Sequence, residues 1–279
     1  MPQMSDFDLA ACPSPLTIAE PQAMSGLTIF CDFDGPLVDV SDRYYTTYQL
    51  ALTDVQEWYE AKGEPLPLHC LTKEQFWRMK RDRLPDIEIA LRSGLRNQQI
   101  EQFLQRVQQI VNQPTLLHQD TVQPGVRWAL TTFRNLGAQL VLVTLRQQVQ
   151  VLQVLQDHGL LHLFDAVCGV SAIEVAYLNP VDHKVQLLAE ALAQEPFCRC
   201  SREHAWMIGD TEADILAGQA AGISTIALTC GIRSSSYLRR FDPSHLHNDL
   251  RSAAHELSSR YKHTSSLQAS SLIGANVMV

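Results

Sequence analysis

Leu27-Thr28-Ile29-Phe30-Cys31-Asp32-Phe33-Asp34-Gly35 is the stretch on which the reading of this chain turns. An apolar run that stops at paired aspartates delivers negative charge to one edge of a buried sheet. A second stretch repeats the pattern, Ala205-Trp206-Met207-Ile208-Gly209-Asp210-Thr211-Glu212-Ala213-Asp214. Repulsion within such a carboxylate cluster is costly unless a hard cation lies among the oxygens. The two stretches together outline a site for magnesium and phosphoryl-transfer chemistry.

Working outward, the same alternation recurs. Pro124-Gly125 opens a helix with Val126, Leu130 and Phe133 on one face, followed by a strand from Gln139 to Thr144. A helix ending at His158-Gly159 leads to a strand over Ala166 to Val170, then to a helix around Val185 to Ala193. After the Asp210 strand come a helix closing at Ala221-Gly222 and a strand from Ser224 to Leu228. Strands alternating with helices predict an α/β fold: a Rossmann-like parallel sheet with helices on both faces. Ligands of such sheets bind beyond the carboxyl ends of the strands, where Asp32, Thr144 and Asp210 fall.

Residues 41–113 break this rhythm. Tyr45, Tyr48 and Leu52 recur at helical spacing, as do Ile100, Phe103, Leu104 and Val107, with prolines at 65, 67 and 85 between. The expected organisation is a leader over 1–25, a core built from 26–40 and 114–262, and a helical insertion over 41–113. Residues 263–279 are expected to be a disordered tail, since the chain carries no charge from Thr264 onward and is rich in serine there.

Composition narrows the function classes. With 46% hydrophobic and 19% charged residues the chain reads as an ordinary globular protein. No apolar run approaches the ~20 residues of a membrane span. The amino terminus lacks a basic n-region, so the expected location is the cytoplasm. A net charge of −8 argues against nucleic acid or a membrane surface as partner. Seven cysteines form no disulfide or zinc framework.

The strand-end residues suit phosphate chemistry. Asp32 and Asp34, two apart in an extended segment, point the same way, so one carboxylate could attack while the other manages protons. Gly35 would let the backbone approach phosphate oxygens. Thr144 offers a hydroxyl to a phosphate, or equally a helix N-cap. Arg146 fits a substrate contact or the surface. Lys184, the only lysine between Lys80 and Lys262, would place a point charge among carboxylates. Asp210 and Asp214 share one helical face, where the first could ligate magnesium and the second brace it.

In their order these elements resemble the haloacid dehalogenase superfamily: Asp32-Phe33-Asp34-Gly35, Thr144, Lys184, and Gly209-Asp210 with Asp214. Pro124-Gly125-Val126, His158-Gly159-Leu160 and Phe164-Asp165 resemble its phosphoglycolate-phosphatase-like branch. The resemblance covers roughly 27–40 and 121–260. It implies that 41–113 is a helical cap, Asp32 the nucleophile and Asp34 the acid/base. It further implies Mg2+ at Asp32, Asp34 and Asp210 with Asp214 beside it, and phosphate contacts from Phe33, Gly35, Thr144, Lys184 and Arg146. The implied activity is magnesium-dependent hydrolysis of a small phosphorylated metabolite through an aspartyl phosphate. Two features depart from the family pattern: Pro36 replaces the usual Thr, and Lys184 lacks a following Pro-x-Pro. The rivals are a phosphomutase or phosphotransferase of the same fold and a non-catalytic binding member. A dinucleotide oxidoreductase is disfavoured, because no G-x-G-x-x-G follows a strand.

Overall fold

A computed structural model describes residues 26–171, 175–194 and 196–261, with the side chains of 175 and 176 left aside. The leader over 1–25 and the tail over 263–279 lie outside the described residues. Eight strands appear there: β1 (Thr28–Cys31), β2 (Val38–Asp39), β3 (Thr121–Val122), β4 (Gln139–Gln147), β5 (Ala166–Val170), β6 (Ala205–Gly209), β7 (Ser224–Leu228) and β8 (His245–His247). Six of them form one parallel sheet in the order β5-β4-β1-β6-β7-β8.

Helices cover both faces, as the near-continuous apolar strands require. The chain between β2 and β3 is helical: α1 (Ser41–Glu60), α2 (Lys73–Arg81), α3 (Asp86–Arg92), α4 (Gln98–Ile110) and α5 (Pro114–Leu117). Tyr44, Tyr48, Ala51, Leu52 and Val55 form the buried stripe of α1. Thr72 and Gln75 cap α2 reciprocally, side chain to backbone in both directions. Beyond β3 follow α6 (Val126–Asn135), α7 (Gln148–Asp157), α8 (Val175–Leu178), α9 (Val181–Ala193), α10 (Glu212–Ala220) and α11 (Ser235–Leu238). A further helix, α12, covers 250–261 among the described residues.

The sheet's centre positions the site. β1 lies between β4 and β6, with Cys31 in register with Leu142 on one side and Ile208 on the other. The chain crosses over in opposite directions from β1, which leaves a crevice at its carboxyl end. β2 and β3, which lead into and out of the helical segment, pair antiparallel beside that crevice, Val38 with Val122 and Asp39 with Thr121.

Three features differ from the sequence expectation. β4 does not stop at Thr144 but continues to Gln147, through a register shift against β5 after Val143. The β2–β3 pair is too short to leave an alternating pattern. β8 was also illegible, because His-Leu-His beside polar turns lacks the β-branched signature of a strand.

Candidate active site

Asp32 follows β1 directly, and its backbone N–H donates to Ile208 O on β6 at 2.9 Å. Its Oδ1 accepts from Phe33 N at 2.7 Å and lies 2.8 Å from Lys184 Nζ. Lys184, buried in the first turns of α9, also sits 2.8 Å from Asp214 Oδ1. Asp214 Oδ2 accepts from the Thr211 N–H and hydroxyl at 3.1 and 2.7 Å, which fixes the first turn of α10. Asp214 Oδ1 has that ion-pair contact but no hydrogen bond.

Asp210 is different. Its Oδ2 accepts from Ile232 N at 2.5 Å, but its Oδ1 is buried with no hydrogen-bond partner. Gly35 and Gly231 press against this carboxylate, and a Cβ on either would overlap it. Gly35 also has φ +98°, a conformation L side chains avoid, so glycine serves both the turn and the close approach. Asp32, Asp210 and Asp214 bring one oxygen each within 4.8 Å of one another.

Electrostatics reflect this crowding. Burial pushes Asp32 up to about 7, with Lys184 opposing and Asp214 adding to the rise. Burial, then Asp214 and Asp32, place Asp210 well above the usual carboxylate range. Burial disfavours the Lys184 charge, but Asp214 and Asp32 outweigh it and hold the ammonium above an ordinary lysine. Formally, three carboxylates face one ammonium, an excess of two negative charges in a buried space. A divalent cation matches that excess, and the orphaned Asp210 Oδ1 is an oxygen ready to ligate it.

A second buried cluster adjoins the first and is balanced. Asp34 Oδ1 lies 2.9 Å from Arg146 Nη1 and Oδ2 lies 3.1 Å from Arg43 Nη2. Asp120 accepts from Arg43 Nε at 2.8 Å and lies 2.7 Å from Arg146 Nη2. Burial would raise Asp34, but Arg146 and Arg43 outweigh it and hold the carboxyl below its ordinary value. Arg146 thus faces Asp34 and Asp120 and stacks over the Phe33 ring, 5.3 Å from its centroid.

Some of these residues line a recess of about 450 Å3, counting the part open to solvent. Asp32, Asp34, Thr144 and Arg146 form its floor, and Tyr44, Lys80, Arg83, Tyr177, Asn179 and Arg233 are among its walls. Thr144 Oγ1 accepts from Arg146 N at 3.2 Å, a local turn inside β4 rather than a helix cap. The basic run of α2 and its C-terminal turn divides in two. Arg78 pairs with Glu74 at the surface, whereas Lys80 is buried, 2.9 Å from Asp86 and 3.1 Å from Tyr177 Oη. Arg83 and Arg233 both pair with Glu212, leaving one positive charge at the wall.

The fold therefore gathers Asp32, Asp34, Thr144, Lys184, Asp210 and Asp214, with Phe33, Gly35 and Arg146 against them. Sequence reasoning missed Arg43, Asp120, Glu212, Arg233 and Tyr177. Of these only Arg43 carried a signal, an arginine on the buried stripe of α1 between Val40 and Thr47.

Comparison with known proteins agrees with this geometry. Residues 29–228 match the model of the haloacid dehalogenase-like hydrolases. Pyrophosphatase PpaX of Halalkalibacterium halodurans is 23% identical over 225 residues, 78% of this chain and 91% of that protein. Phosphoglycolate phosphatase of Vibrio cholerae is 29% identical over 132 residues, 46% of this chain and 53% of that protein. Among solved structures, the haloacid dehalogenase-like hydrolase SP0104 of Streptococcus pneumoniae superposes with a TM-score of 0.58 at 21% identity, covering 84% of this chain and all of that one. The family match spans the sheet from β1 to β7 with every carboxylate of the crevice, so the chain belongs to the haloacid dehalogenase-like hydrolase family.

Proposed function

We propose that the protein is a magnesium-dependent phosphatase that hydrolyses a small phosphorylated metabolite through a phosphoryl group carried on Asp32. One observation carries the reading: two buried charge clusters share the crevice, one formally neutral and one short of two positive charges, with Asp210 Oδ1 unpartnered. Asp32 and Asp210, with the Asp34 carbonyl, would hold Mg2+, and Asp214 would brace them through Lys184 and Thr211. When bound, the ion supplies charge neutralisation for the carboxylates and the substrate phosphate.

In this reading the Asp32 carboxylate attacks phosphorus and forms an acyl phosphate. The bond to the leaving oxygen breaks, and Asp34 donates the proton that oxygen needs. Asp34 then accepts a proton from water as the water attacks the acyl phosphate, which returns Asp32 and releases inorganic phosphate. Thr144 and Lys184 steady the phosphate. Arg83, Arg233 and Lys80 favour a small leaving group that carries its own negative charge. Asn179, whose side-chain nitrogen is buried without a hydrogen-bond partner, offers it a donor. The small anionic substrates in the names of the relatives, pyrophosphate and phosphoglycolate, are of this chemical kind. The helices over 41–113 would act as a cap that excludes bulk water.

A screen of small phosphate esters tests the reading. It expects magnesium-dependent release of inorganic phosphate in step with the alcohol. Transfer to a second hydroxyl with no phosphate released would favour a phosphotransferase instead.

The carboxylates also set a pH signature. Asp32 and Asp210 keep protons in the folded, cation-free protein at pH values where the unfolded chain has lost them. The contribution of Asp32 to stability without cation is therefore fullest below about pH 4 and is lost as pH rises through about 7. A divalent cation takes the place of those protons. The rise in Tm at a fixed magnesium concentration is expected to be larger at pH 8 than at pH 5. Equal rises at the two values would contradict the assignment.

A further inference from the structure

β8 and α12 carry a cluster that phosphoryl transfer does not use. His245 and His247 lie two apart on β8, so both rings leave one face of the sheet, with planes 7° apart. Leu246 between them packs on the opposite face with Ile215, Ala227 and Leu238. The chain then turns at Asn248-Asp249, where Asp249 Oδ1 accepts from Ser252 N at 2.7 Å and caps α12. Leu250, Ala253, Ala254 and Leu257 are buried in the main core, and this fixes the rotation of α12. Glu256 is thereby held over the two imidazoles.

The ligand atoms converge. Glu256 Oε1 lies 2.9 Å from His245 Nδ1, and Glu256 Oε2 bonds His247 Nε2. One atom of each residue lies within 4.8 Å of the others. The side chains are 29%, 21% and 25% exposed, so water reaches the cluster but does not disperse it. His245 also leans on Trp206, ring centroids 5.6 Å apart. Aligned with Ile226, Ile208 and Cys31, His245 lies three strand spacings from β1, about 14 Å.

We propose that His245, His247 and Glu256 form a second metal site, selective for a borderline transition ion of the zinc(II) class. Two imidazoles and a carboxylate suit zinc, with water in the fourth tetrahedral position, whereas magnesium prefers an all-oxygen shell. All three ligands fall within twelve residues of one strand–turn–helix unit. Binding therefore ties the sheet's edge strand to α12.

Arg260 is the built-in competitor. Its Nη2 donates to His245 Nε2 at 3.1 Å and lies 3.5 Å from Glu256 Oε1. Arginine only donates, so this bond keeps the His245 proton on Nδ1, the atom a metal needs. Metal binding releases that proton from Nδ1, and Nε2 takes one up once Arg260 withdraws. The arginine side chain is 48% exposed and has room to do so.

The test uses the full-length, untagged protein, saturated with magnesium and titrated with Co2+ as a spectroscopic stand-in for zinc. One equivalent is expected to give the visible d–d bands of a four-coordinate ion, which zinc then abolishes. Single variants His245→Gln and His247→Gln lose the bands while retaining phosphate release and their metal-free circular dichroism. Arg260→Gln binds several-fold more tightly. Zinc at a hundredfold excess over Kd raises the wild-type Tm by about 5–10 °C, and neither histidine variant follows. Absence of the bands from the wild type, or their persistence in both histidine variants, overturns the proposal. Either result leaves the cluster as two histidine–glutamate pairs.

Discussion

Asp32→Asn is expected to lower phosphate release by at least about 10⁴-fold without unfolding the protein. The two halves of that expectation have separate causes. Turnover is lost because an amide cannot serve as the nucleophile that accepts the phosphoryl group. The fold survives because the amide has nearly the same shape, and its oxygen still accepts from Phe33 N and meets Lys184. Removing one carboxylate also relieves repulsion with Asp210 and Asp214, so the cation-free Tm should hold or rise. Magnesium should then raise Tm less than in the wild type. Phosphate release within tenfold of the wild type would remove Asp32 from the chemistry. A variant equal to a wild type that itself never turns over would support the binding-member alternative.

The legible part of this site was local in sequence. Asp32, Asp34 and Gly35 are fixed by a strand end, and Thr211 through Asp214 by the first turn of a helix, so short spacings were enough to group them. Even there the means was hidden: the brace expected of Asp214 would run through Thr211 and Lys184, which its oxygens meet. What stayed hidden depends on contacts distant in the chain. Arg43 meets Asp120 across 77 residues and Arg146 meets Asp34 across 112, and no periodicity reports such pairings. The burial of Lys80 is equally hidden, because a charged residue in a basic run usually faces water. It is buried because Asp86 and Tyr177 arrive from two other helices. β8 and its histidines escaped for a related reason: the strand is three residues long, and only its pairing with β7 defines it.

Arg43→Met should destabilise the protein by about 3–5 kcal/mol, the usual consequence of removing one partner from a buried ionic cluster. Arg43 is wholly buried and bonds four groups: Asp34, Asp120, Val111 O and Asn112 Oδ1. These lie at the end of β1, just before β3 and just after α4. One guanidinium thus ties the helical segment to the core at both of its connections. Methionine fills most of the volume but leaves Asp34 and Asp120 sharing Arg146 alone. Urea unfolding measures the loss, and the double variant with Asp120→Asn should cost less than the two single changes added together. The same substitution should reach the chemistry. Arg146 and Arg43 hold Asp34 below its ordinary value, so removing one lets the carboxyl rise. An acid that must be protonated to assist the leaving group then stays protonated to higher pH. The limb of the kcat/KM profile set by Asp34 should therefore move upward in Arg43→Met. In Arg43→Lys, which keeps the charge but only part of the hydrogen bonding, it should move less. A stability loss with no displacement of that limb would leave Arg43 a structural tie alone and separate it from the acid/base step.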